Sequence, residues 1–133
     1  DLNTAKQKGW TPIAKIVAQA SHAQEPTKFT SAPVDGIRKV LSKANLKTDD
    51  IDLFEINEAF AVVPMVAMKD LNLKHDRVNV YGGAVSIGHP IGCSGTRIMV
   101  TLLNAMQEAN AKRGLAGICI GGGEASAVIV ERM

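Results

Sequence analysis

Apolar and polar positions alternate along the chain in short strand-like runs and longer helical stripes. Pro12 to Gln19 (PIAKIVAQ) is β-branched and partly alternating, and reads as a first strand. Ser21 to Thr30 is polar and irregular. Ser31 stands where a helix cap belongs and Pro33 suits a first turn; Val34, Ile37, Val40, Leu41 and Ala44 then recur at helical spacing. Asp49, Asp50 and Asp52 bracket a turn before a short strand, Leu53 to Ile56. A second helix is predicted from Glu58 or Ala59 to Leu71. It is apolar on more than one side, through Val62, Val63, Met65, Val66 and Met68, so more than its own sheet should cover it. Val78 to Tyr81 reads as a third strand, and Ser94 to Arg113 as a third helix stopped by Gly114. Leu115 to Ile120 is a fourth strand, Gly121 to Gly123 a turn, and Ala125 to Glu131 a last strand antiparallel to the fourth. The order βαβαβαββ indicates an α/β domain over residues 1–133, with no internal repeat or linker.

Asn57, His89 and Cys119 stand 32 and 30 residues apart, about one strand–helix unit each, and each opens a loop after a short apolar run. Parallel strands would bring the three loops to one sheet edge, where α/β proteins place ligand sites. An amide, an imidazole and a thiol gathered there make a reactive centre. A thiol titrates near pH 8.5, so Cys119 is suited to acid–base work, and the glycines behind it free N–H groups to face an oxyanion. A buried strand cysteine before a glycine turn accounts for the same residues. His89 sits in a segment with five glycines (GGAVSIGHPIGCSGT); it is either a base and oxyanion donor or a ring pinned to a nearby carbonyl. Asn57 is either a helix cap or an amide that orients a water or carbonyl, with Glu58 fixing the neighbouring loop. Phe60 either walls a pocket or fills core. His22 and His75 lie in polar stretches and are expected to be solvated.

Composition narrows the classes. The chain has 133 residues, a net charge of +2 and five aromatic residues, which argues against nucleic acid as a partner. Its longest uncharged apolar stretch, Ala59 to Met68, is half a membrane span, and no signal-peptide pattern opens the chain. Two cysteines do not make a secreted disulfide framework, so a reducing compartment, the cytoplasm or an organelle matrix, is expected. His89 and Cys93 match no zinc spacing, so no metal is expected. The glycine loop lacks the lysine of a phosphate-binding P-loop.

Together the loops resemble the thiolases, specifically the C-terminal half of the acetyl-CoA acetyltransferase type. Asn57-Glu58-Ala59-Phe60 matches the NEAF motif, Gly88-His89-Pro90 with Gly92, Ser94 and Gly95 matches GHPxGxSG, and Cys119 to Gly123 matches CxGGG. The resemblance implies a five-stranded mixed sheet with helices on both faces, one half of a duplicated fold. It implies acyl transfer between acyl-CoA and acetyl-CoA by Claisen condensation, or thiolytic cleavage of a 3-ketoacyl-CoA, acetoacetyl-CoA being favoured. His89 would activate the nucleophile and stabilise an enolate oxygen, and Cys119 would move the α-proton. Asn57 would hold a water of one oxyanion hole, and the Gly121 N–H would serve a second. Phe29, Ala59, Phe60 and Ile120 would contact substrate. Coenzyme A thioesters are substrates and no cofactor is implied. The family's nucleophilic cysteine and its main coenzyme A contacts belong to the N-terminal half, and Cys93 does not match the nucleophile's motif. The chain alone is therefore expected to be inactive, and to pair with an N-terminal half or subunit within a homo- or hetero-oligomer. Two rivals are a decarboxylating ketoacyl synthase, against which the CxGGG loop speaks, and a non-catalytic acyl-CoA-binding or assembly module.

Overall fold

Branched apolar runs become strands and amphipathic stripes become helices in the computed structural model, which describes residues 1–133. Helix α1 (Leu2–Gln7) is capped by Asp1, whose carboxylate accepts from the Thr4 N–H at 2.9 Å. Four strands follow in chain order: β1 (Ala14–Ala23), β2 (Leu53–Ile56), β3 (Arg113–Ile120) and β4 (Glu124–Arg132). They form one mixed sheet of order β1-β4-β3-β2, with β2 parallel to β3 and the other pairs antiparallel. Helices α2 (Ala32–Ala44) and α3 (Val62–Leu71) cover one face, where Val34, Ile37 and Val40 pack with Phe54, Ile56 and Leu115. Helix α5 (Ser94–Glu108) covers the other, where Ile98, Leu102 and Met106 meet Leu53, Ala116 and Val130. A single turn, α4 (Ala84–Ile87), precedes it. No helix is long and apolar enough to cross a membrane.

The sheet has four strands rather than five. The run from Val78 to Tyr81 makes only a parallel bridge from Val78 to Phe54 and a local one between Val80 and Gly82. Asn79 is the reason: its φ of 49° breaks the extended chain, and its side chain takes the place of a strand backbone. The Ile56 N–H donates to Asn79 Oδ1 at 2.7 Å, and Asn79 Nδ2 donates to the Ile56 carbonyl at 2.8 Å. The amide thus finishes the β2 edge without a fifth strand.

Other boundaries move for equally local reasons. Strand β1 runs on to Ala23, through residues whose polarity suggested a loop, because β4 pairs with it throughout. Helix α5 stops at Glu108, not Arg113. Asn110 turns left-handed (φ 52°), and the Asp52 carboxylate takes the Lys112 and Arg113 N–H groups at 2.7 and 2.8 Å, leading the chain into β3. Helix α3 begins at Val62 rather than Glu58 or Ala59, with Pro64 in its first turn, where a helix tolerates proline. Ser31 occupies the cap position of α2 without capping it; its hydroxyl donates to the Lys28 carbonyl.

Candidate active site

Parallel pairing of β2 with β3 sets the site. The Asn57 N–H donates to the Gly117 carbonyl at 2.9 Å, one step past the end of β2, so Asn57 and the last residues of β3 reach the same sheet edge. His89 arrives from the loop after α4, not from a strand end. A cleft of about 540 Å³ opens there, lined by Phe29, Ala59, Phe60, His89, Ile91, Ile118, Cys119, Ile120 and Gly121. The imidazole, the thiol and the glycine of the turn therefore share one hollow with the four residues expected at substrate. Phe29 and Phe60 meet edge to face across it, with ring centres 6.0 Å apart.

Asn57 lies behind this lining, fully buried, and is not a helix cap. Its Nδ2 stands 3.5 Å from His89 Nε2. The other ring nitrogen, Nδ1, is 2.5 Å from Ser94 Oγ, and that hydroxyl donates to the Pro90 carbonyl at 3.1 Å. A hydroxyl has one proton to give; with it committed to Pro90, Ser94 accepts from the Nδ1–H of His89. Nε2 is then left with its lone pair, the form a general base requires.

Cys119 is 7% exposed at the end of β3, its side chain within the α2–α3 core yet bordering the cleft. Burial pushes its thiol above the ordinary range, and a backbone hydrogen bond of its own pulls the other way. Cys93 is exposed, free and at the start of α5. No group of three or more His, Cys, Asp or Glu side chains stands close enough to hold a metal ion.

Glu58 fixes the neighbouring loop. Its carboxylate accepts from Asn79 Nδ2 at 3.1 Å and from the Val85 N–H at 2.9 Å. Gly83 leaves room for it, since a Cβ there would lie 2.5 to 2.9 Å from the carboxyl group. His75 is exposed as expected, whereas His22 is largely enclosed and hydrogen-bonded to Gln24 at 3.0 Å.

Two residues that sequence reasoning passed over complete the setting. Glu55 is 1% exposed, and Arg97 reaches it from α5 at 2.9 Å while donating to Asn57 Oδ1 at 3.4 Å. Burial pushes the Glu55 carboxyl up to about 7 against the opposing pull of Arg97. The signal available in the sequence was a lone carboxylate inside the apolar run LFEI, which needs a buried cationic partner.

Comparison with known proteins gives concordant matches. Residues 10–132 match the family model described as "Thiolase, C-terminal domain". An acetyl-CoA acetyltransferase of Syntrophomonas wolfei is 50% identical over 131 residues, covering 97% of this chain and 33% of that protein. Acetyl-CoA acetyltransferase 2 of Arabidopsis thaliana is 49% identical over 127 residues, covering 96% of this chain and 32% of that protein. The crystal structure of human mitochondrial 3-ketoacyl-CoA thiolase superimposes with a TM-score of 0.96 at 37% identity, over 98% of this chain and 33% of that one. The chain spans about a third of the length of these relatives.

Proposed function

The chain belongs to the thiolase family, and on that premise we propose that it is the C-terminal catalytic half of a thiolase. It works on coenzyme A thioesters as substrates, with no cofactor, in condensation or in thiolytic cleavage, and acetoacetyl-CoA is the favoured 3-ketoacyl substrate. The observation that carries this reading is the shared cleft, in which His89, Cys119 and Gly121 face one apolar hollow.

Each group has a role that suits its surroundings. An unprotonated Nε2 on His89 takes a proton from the thiol of the nucleophile, and the ring then donates to the enolate oxygen as charge develops. Cys119 hands a proton to the α-carbon during cleavage; burial favours its protonated thiol, the form that has a proton to give. In condensation the same sulfur, as thiolate, takes the α-proton and becomes the thiol again. Asn57, with Nδ2 toward His89, holds a water of the first oxyanion hole, and the Gly121 N–H serves the second. Phe29, Ala59, Phe60 and Ile120 wall the acyl chain.

The nucleophile and most coenzyme A contacts come from an N-terminal thiolase half, as part of the same protein or as a partner subunit in an oligomer. Exposed apolar side chains around the cleft, Phe60 and Ile91, and on α3, Val62 and Met65, suit a surface covered in the working enzyme. The free thiols suit a reducing setting, the cytoplasm or an organelle matrix. The test is thiolytic cleavage of acetoacetyl-CoA by the chain alone and together with the N-terminal part of a thiolase. Turnover only in the mixture is expected; robust turnover by the chain alone overturns the proposal.

A further inference from the structure

We infer that Arg97, held by Glu55, is the positioning residue that decides which end of the Asn57 amide faces His89. The two ends of an amide are nearly the same size, one a donor and one an acceptor, so shape alone does not orient it. Asn57 is fully buried, so the polar groups packed around it decide the choice. A guanidinium carries only donors. With Arg97 Nη2 at 3.4 Å, the oxygen of Asn57 must point to it, and Nδ2 then points at His89 Nε2, 3.5 Å away. The opposite orientation sets donor against donor at Arg97 and acceptor against acceptor at His89.

Arg97 is itself fixed, because Nη1 donates to Glu55 Oε1 at 2.9 Å. Strand alternation puts Glu55 and Asn57 on one sheet face, beneath α5. Helical spacing puts Ser94 and Arg97 on one side of α5. Each end of the imidazole is thus governed from α5: Nδ1 directly by Ser94, and Nε2 by Arg97 through Asn57. The Nδ1–H tautomer, with the Nε2 lone pair facing the Asn57 amide N–H, is the consequence. This deepens the proposed function, because it names what keeps His89 in the basic form that reading requires.

The test reads the tautomer directly, by ¹⁵N NMR of His89 in the chain at mildly alkaline pH. Arg97→Lys keeps a cation for Glu55 but cannot fork to both partners. The double variant Glu55→Gln with Arg97→Met removes the ion pair as a unit and decides the matter if the lysine variant does not fold. The wild type is expected to show a single Nδ1–H tautomer and the folded variants a mixture with Nε2–H. A folded variant that keeps the single wild-type tautomer overturns the inference. In the two-part enzyme, Arg97→Lys is expected to lower kcat about a hundredfold with KM unchanged; unchanged kcat also overturns it. Absence of wild-type turnover instead counts against the proposed function and leaves the tautomer result standing.

Discussion

At the scale of single residues, two cysteines of one chain are placed in opposite circumstances. Cys93 is exposed, whereas Cys119 is enclosed and its thiol is raised by burial. Alkylation follows the thiolate and its access. Iodoacetamide is therefore expected to label Cys93 first, with Cys119 at least ~10-fold slower. Because folding holds the Cys119 proton more firmly, its labelling should accelerate only as pH rises beyond the ordinary thiol range. Peptide mass spectrometry against time at several pH values checks both points. That His89, Cys119 and Gly121 line one cleft, with Asn57 buried behind it, was legible from the loops in which these residues stand. The Glu55–Arg97 pair was less so: its partners are 42 residues apart on different elements, and nothing local to Arg97 distinguishes it from a solvated arginine.

At the scale of elements, α2, α3, α5 and most strands could be read from periodicity, whereas their ends and the short helices α1 and α4 could not. Asparagine set several of those ends. Asn45 and Asn72 close α2 and α3 in the left-handed region, and Asn110 follows α5 in the same conformation. Asn79 does something else, replacing a predicted strand with its own side chain. Low strand propensity was a hint, but the outcome depended on meeting Ile56, a non-local event. The β3–β4 turn shows how tightly such corners are built. Gly123 has φ of 94°, and a Cβ there would come within 2.4 Å of the Gln24 carbonyl oxygen and 3.0 Å of Pro26 Cα. Gly123→Ala is expected to cost at least ~2 kcal/mol in urea unfolding, from left-handed strain together with a clash against backbone. A loss well under 1 kcal/mol would show that the corner relaxes freely.

At the scale of the whole molecule, the fold brings three loops to one sheet edge and leaves their cleft walled on one side by exposed apolar groups. Element order and motif spacing made the meeting of the Asn57 and Cys119 loops readable before any coordinates, since β2 and β3 are parallel neighbours, whereas His89 comes there from the loop after α4 without a strand of its own. Whether another polypeptide covers the cleft was not readable from periodicity, because an apolar stripe looks alike whether its own core or a partner buries it. The account rests on Cys119 as the group that moves the α-proton. The most direct measurement is exchange of the acetyl-CoA methyl protons with deuterated solvent, catalysed by this chain combined with an N-terminal thiolase half. Deuterium incorporation is predicted with the wild-type chain and is predicted to vanish with Cys119→Ala. Exchange at an undiminished rate in that variant would contradict the account.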